Sequence, residues 1–324
     1  MSLFKKLLTF TIVLAWCVLI LGAFTRLTDS GLGCPDWPGC YGHYLPDSIT
    51  QLPTLAHPVD LLKALTEMYH RYLAGSLIAT IVLCVLIIGI RPSIRQAIPG
   101  ILPLCLLGLL GFQAALGMWT VTLKLWPTVV MGHLLGGFLI FACLVAMRTA
   151  LAEKLAVPTT VYRKFIGLGI LLLFVQIGLG AWVSSNYAGI SCLGFPTCNG
   201  MWLPPLHWHE AFQQHHPIGL NYQGGLMSVD ARMTVQWVHR LGALLVSVYW
   251  ISLLCCLWQI KASSYRRCLI TFVGLLVLQL GLGIVNVLYL LPLAAAVLHN
   301  GIAALLWANA IVLFGLLKPS NAKA

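Results

Sequence analysis

"EMYHRYLAGSLIATIVLCVLIIGI", residues 67–90, opens with an acid, a histidine and an arginine, then runs from 72 to 90 without a charge. Such a run is close to the roughly 20 residues an α-helix needs to cross about 30 Å of hydrocarbon. The rest of the chain repeats this texture. Of its 324 residues, 60% are hydrophobic and 8% charged, against roughly 25% charged in a soluble protein. The sequence therefore reads as an all-α polytopic membrane protein.

Eight spans are expected, at about 7–25, 66–90, 98–120, 127–148, 164–184, 233–259, 268–290 and 294–316. The runs are almost uniformly apolar, so periodicity is not needed to assign them. The first follows Lys5 and Lys6 as a secretory signal would. No small-x-small cleavage site follows it clearly, and the repeat described next requires it as a helix.

The chain is written twice. "GAFTRLTDSGLGC" (22–34) matches "GAWVSSNYAGISC" (180–192), and "EMYHRYLAGSL" (67–77) matches "QWVHRLGALLV" (236–246). "QAALGMWTVTL" (113–123) matches "QLGLGIVNVLY" (279–289), and "VVMGHLLGGFL" (129–139) matches "AAVLHNGIAAL" (295–305). The offsets are 158, 169, 166 and 166. Four helices per copy return the chain to its starting side, so both copies have the same orientation. The expected architecture is two tandem pseudo-symmetric four-helix bundles, residues 1–150 and 164–324, joined by a cytoplasmic linker at 151–163.

Basic residues set the orientation. With the termini inside, Lys5, Lys6, Arg91, Arg95, Arg148, Lys154, Arg163, Lys164, Lys261, Arg266, Arg267, Lys318 and Lys323 are cytoplasmic, 13 of 19. All acids but Glu153 fall outside. This predicts a multi-pass protein of the cytoplasmic (inner) membrane, with both termini cytoplasmic and both long loops periplasmic or extracellular. The net charge of +11 reflects that bias and points to lipid rather than nucleic acid, whose binders need an exposed basic face.

Four histidines lie in the spans: His70, His133, His239 and His299. Each sits four to six residues inside the outer end of an even-numbered span, so all four share one level. Polar groups in membrane helices are costly and usually functional. Two histidines facing each other within each half suit a haem iron with two axial imidazoles. A zinc or copper site would want three or four ligands. The plainer reading gives each histidine an interhelical hydrogen bond. Arg71 and Arg240 follow two of the histidines. They read either as partners of haem propionates or as interfacial side chains that snorkel.

The halves differ at one position. Glu67 precedes His70 by three residues and shares its helix face, whereas Gln236 precedes His239. A carboxylate there can accept a proton or stabilise developing positive charge. It can equally pair with Arg71 at i+4.

Two cysteine pairs remain, in "GLGCPDWPGCYG" (31–42) and "GISCLGFPTCNG" (189–200). Both lie in outer loops, where disulfides persist. A structural clamp, a thiol redox relay and a shared zinc site all stay open. "HWHEAFQQHH" (207–216) offers His207, His209, His215 and His216 as metal ligands or as a plain polar loop.

In order along the eight spans, "GAFTRLTDSGLGCPDWPGCYG", "EMYHR", "MGHLLGG", "QWVHRLGALL" and "VLHNG" resemble the haem A synthase family. The resemblance covers nearly the whole chain and implies oxidation of the C8 methyl of haem O to the formyl of haem A, for cytochrome oxidase. It implies haem b as cofactor between His239 and His299, substrate haem O between His70 and His133, and Glu67 as the catalytic carboxylate. It implies the disulfides Cys34–Cys40 and Cys192–Cys198, and a haem O synthase as supplier of substrate. The electron partner and any homo-oligomerisation are left open. A dihaem b-type electron carrier, such as a quinol oxidiser, is the alternative that needs no Glu67. A transporter is a further one, disfavoured because the histidines sit near the outer surface rather than the midplane.

Overall fold

The computed structural model describes residues 1–45, 60–155, 160–214 and 217–317. Within them the chain forms eight long apolar helices and no β-strand. They are α1 (Ser2–Leu27), α2 (Leu61–Ile90), α3 (Ile101–Thr122), α4 (Pro127–Ala150), α5 (Thr160–Ser185), α6 (Val229–Leu257), α7 (Ser263–Leu288) and α8 (Leu293–Leu316). Each is long enough to cross a membrane. Two single helical turns, Pro92–Arg95 and Trp208–Ala211, lie between them.

The even-numbered helices start with explicit signals at the end of the bundle that carries the long loops. The Asp60 carboxylate accepts the Lys63 N–H at 3.2 Å, and the Ser228 hydroxyl accepts the Ala231 N–H at 3.3 Å. Pro127 opens α4 and Pro292 immediately precedes α8, where a missing N–H costs nothing. These caps carry α2 and α6 further than the apolar runs alone. They begin at Leu61 and Val229 rather than near 66 and 233, so their first turns hold Lys63, Asp230 and Arg232 in polar surroundings. His70 and His239 therefore lie deeper along their helices than His133 and His299 do along theirs.

The expected linker is shorter, because α5 begins at Thr160. What precedes α5 closes the end of α8. Leu155 N–H donates to Leu316 O at 2.8 Å, and Lys154 Nζ to Gly315 O at 2.6 Å. Arg163 donates to Phe314 O at 2.9 Å and to Leu317 O. Cations and donors thus satisfy the last carbonyls of the helix.

Helix neighbours follow the repeat. α1 packs against α2, α4 and α8, while α5 packs against α6, α8 and α4. α3 pairs with α4 as α7 pairs with α8. Exchanging α1–α4 for α5–α8 leaves this map unchanged. The backbone agrees. Among the described residues, the non-glycine positions with positive φ pair as Asp29 with Tyr187, Tyr41 with Asn199, Lys124 with Leu290 and Leu125 with Leu291. Their separations are 158 and 166, the repeat offsets, in a backbone region that L-residues seldom adopt.

The core lies where α1, α4, α5 and α8 meet. Trp307 of α8 stacks on Phe174 with centroids 5.4 Å apart and tilts over Phe138 at 6.1 Å. Its indole N–H donates to Ile170 O at 3.1 Å, and that of Trp16 to Gly301 O at 2.9 Å. Buried indoles thus place their one donor on a carbonyl across the seam. Near the loop end, Arg26 donates to Ser184 O at 2.6 Å and stacks over the Tyr187 ring. The Tyr187 hydroxyl donates to Asp29 at 2.8 Å. Arg26 and Ser184 occupy the same repeat position, as do Asp29 and Tyr187.

Candidate functional site

The four span histidines are seated by one device. Each ring lies against a glycine on the helix that precedes its own. A Cβ at Gly22 would lie 3.0 Å from Cε1 of His70, and one at Gly180 3.1 Å from that of His239. At Gly117 and Gly283 the corresponding distances to His133 and His299 are both 3.2 Å. A methyl group fits there only if the ring gives way. Glycine is thus required at four matched positions by close approach rather than by backbone conformation.

His70 and His133 face one another with ring centroids 6.5 Å apart and planes at 81°. Two imidazoles on opposite sides of one metal, with bonds of roughly 2 Å, put their ring centres about 6.5 Å apart. His239 and His299 occupy the matching glycine seats of the second half. The Nδ1 atoms of His70, His133 and His299 are buried without a hydrogen-bond partner. Buried polar atoms in native proteins are nearly always satisfied, so these rings carry hydrogen-bonding or ligating capacity that the protein's own described groups do not use. The first pair offers two imidazoles at a spacing that fits a haem iron.

Glu67 is 4% exposed. Its Oε1 pairs with Arg71, one helical turn on, and its Oε2 accepts the Cys34 N–H at 2.9 Å. Gln236, at the matching place, is also buried, and its Oε1 has no partner. Among the described residues, only the first half thus carries a carboxyl group one helical turn before its histidine.

A family model described as COX15-CtaA, cytochrome oxidase assembly protein, matches residues 5–311. The heme A synthase of Shewanella oneidensis is 42% identical over 315 residues, covering 93% of this chain and 92% of that protein. The chain belongs to the haem A synthase family. More distant members include the heme A synthases of Beijerinckia indica, 29% identical over 335 residues (92% of this chain, 88% of that protein), and of Chelativorans sp., 27% over 326 residues (90% and 84%).

In this haem A synthase family member both cysteine pairs are bonded, Cys34–Cys40 and Cys192–Cys198, each with Cα atoms 4.8 Å apart. All four cysteines are buried. The two arginines that follow histidines reach these loops. Arg71 donates to Asp36 O at 3.0 Å, Pro38 O at 3.2 Å and Gly39 O. Arg240 donates to Gly194 O at 2.8 Å, Thr197 O at 3.0 Å and Cys192 O. Each disulfide loop is therefore gripped by the residue next to a histidine. The sequence carried this signal as "HR" in both copies. The destination of the guanidinium emerges only once the loop folds back and turns its carbonyls inward.

The loop histidines behave differently. His207 Nε2 lies 3.8 Å from Asp230 Oδ2, and His207 N–H donates to Thr234 at 2.9 Å. His209 lies in the single turn Trp208–Ala211. His215 and His216 lie outside the described residues. Among the described residues, no three His, Cys, Asp or Glu side chains gather around one point.

Glutamines are the residues that sequence reasoning passed over. Gln176 Nε2 lies 3.0 Å from His239 Nδ1 and 2.9 Å from His239 O. Gln279 Nε2 lies 3.2 Å from His299 Nε2, and Gln113 donates to His133 O at 2.8 Å. The signal was present as "QAALG", "QIGLG" and "QLGLG", each ending on a glycine that seats a histidine.

Proposed function

We propose that this protein makes haem A, oxidising the C8 methyl group of haem O to a formyl group in the inner membrane. The observation that carries the reading is the His70–His133 pair at haem spacing beside the buried Glu67, set against a second histidine pair that has Gln236 instead. On this reading residues 1–150 form the substrate bundle and residues from 160 onward the cofactor bundle. The termini are cytoplasmic, and both disulfide loops lie outside.

His70 and His133 would hold haem O as substrate, and His239 and His299 would hold haem b. Haem b, when bound, supplies the electron-transfer chemistry. Turning methyl into formyl removes four electrons and four protons and adds one oxygen. With water as the oxygen source, the electrons leave to an external acceptor, a membrane quinone or a redox protein. Glu67 is held by Arg71 and by the Cys34 N–H, so its charge does not swing away. A carboxylate fixed in a water-poor site stabilises positive charge growing nearby without reorganisation. Arg71, already committed to the loop and to Glu67, positions that carboxylate. Arg240 Nε is buried without a partner, and this donor suits a propionate at the second site. A haem O synthase is the natural supplier of the substrate.

The test is to purify the protein, supply haem O and an electron acceptor, extract the pigments and identify them by mass. Haem A, or its hydroxylated precursor, is the expected product. Two stably bound haems without conversion would leave the dihaem electron carrier. Preparation in labelled water, with aldehyde exchange controlled, should place the label in the formyl group.

A further inference from the structure

Three of the four histidine seats carry a glutamine one helical turn before the seating glycine: Gln113 before Gly117, Gln176 before Gly180 and Gln279 before Gly283. The fourth seat, at Gly22, has Val18 in that place. This is the seat of His70, beside Glu67. Both contacts of a glutamine amide with a histidine ring fall in the second half, Gln176 with His239 and Gln279 with His299. In the first half Gln113 holds only the His133 backbone, and His70 Nδ1 has no partner.

The opposing helix has changed to match. A Cβ at Gly242 would come within 2.3 Å of Gln176 Oε1, and one at Gly136 within 2.2 Å of Gln113 Oε1. Gln113 and Gln176 thus each sit in a notch three residues after the histidine they contact, whereas Gln279 contacts His299 with Ile302 at that place. After His70 that position is Leu73, and after His239 it is Gly242. The pair Gln176–Gly242 of the second half is therefore Val18–Leu73 in the first. Where the glutamine is gone the notch glycine is gone too, and both positions are aliphatic.

We infer that this exchange makes His70 the yielding ligand of the substrate haem, while Gln176 fixes His239 as a permanent ligand of haem b. The inference rests on the assignment of the two haems given above. A ligating histidine is oriented by the partner of its other ring nitrogen, and losing that partner typically weakens metal binding about 10–100-fold. The Gln176 amide lies on Nδ1 of His239, leaving Nε2 for the metal. Gln176 Nε2 also donates to His239 O at 2.9 Å, so the amide holds both the ring and the backbone of that histidine. His70 Nδ1 has no such partner. A substrate must arrive and leave, and a cofactor must stay. The residues at 18 and 73, against 176 and 242, encode that difference.

The test uses the full-length protein loaded with haem, with transfer to excess apomyoglobin followed by absorbance. Wild type should lose haem in a fast and a slow phase, and His239→Ala should remove the slow one. Gln176→Val should accelerate the slow phase about 10–100-fold and leave the fast one alone. Gln176→Glu should keep the slow phase and lower the midpoint potential of that haem, because an anionic partner makes the ligand more basic; mere packing would not move the potential. Val18→Gln combined with Leu73→Gly should slow the fast phase, and Leu73→Gly alone should not. If wild type shows the two phases as assigned but Gln176→Val, eluting and folding as wild type, changes neither, the inference is overturned. If wild type binds no haem, or His239→Ala removes the fast phase, the functional assignment itself fails.

Discussion

The backbone N–H of Cys34 donates to Glu67 Oε2 at 2.9 Å, so the disulfide loop of the first half is pinned to the carboxylate one helical turn before His70. The loop and the acid form one unit. Glu67→Gln keeps the shape but removes the charge that Arg71 and Cys34 N–H hold. We expect haem binding to persist and product formation to fall by about 10²–10⁴-fold. Pigment analysis next to the haem-to-protein ratio checks this, and undiminished turnover would remove Glu67 from the chemistry.

The Cys34–Cys40 bridge closes a short loop, so its loss should cost only about 2–3 kcal/mol. If the bridge is a clamp, Cys34→Ser with Cys40→Ser lowers the melting temperature and leaves measurable synthesis. Abolished synthesis with normal folding and haem content would assign the thiols a redox part instead.

Gly180 leaves no room for a side chain beside His239. Gly180→Val should expel the ring from its position and cut haem content by about one per chain, with the first pair intact. Retention of both haems by Gly180→Val would show that the seat is not required.

The loop turn Trp208–Ala211 is tied to the start of α6 by Glu210, which accepts the Ser228 N–H at 2.6 Å and the Ser228 hydroxyl at 2.7 Å. These two bonds, the backbone one first, hold the Glu210 carboxyl below its ordinary range. A depressed value means the tie is complete above the unfolded pKa and is lost as the pH falls through the folded one. Hydrogen-exchange protection at residues 208–214, taken relative to the intrinsic rate at each pH, should therefore fall on acidification below pH ~4. In Glu210→Gln, exchange should be fast already at neutral pH.

Much of the fold was legible because apolar length is a strong signal. The uncharged run 72–90 and its seven companions set the helices, and the repeated histidines marked the candidate site. The starts of α2 and α6 were not legible. Lys63, Glu67, Asp230 and Arg232 end the apolar runs there, while the Asp60 and Ser228 caps keep the backbone helical. Charge content reports where hydrocarbon stops, and capping reports where the helix stops. The loop grip of Arg71 and Arg240 was hidden for another reason: a guanidinium finds whichever carbonyls the tertiary fold presents. The glutamines were visible as letters, but glutamine inside an apolar run does not declare which neighbour it will hold.

Arg26 and Ser184 touch, and so do Asp29 and Tyr187, although each pair occupies one position of the repeat. A half-length chain paired with a copy of itself would set Asp29 against Asp29 and deprive Arg26 of its aromatic face. The first half is thus no longer fit to be its own mate. The two copies have become complementary at their seam, and a split gene expressing both should recover an assembly that neither piece forms alone.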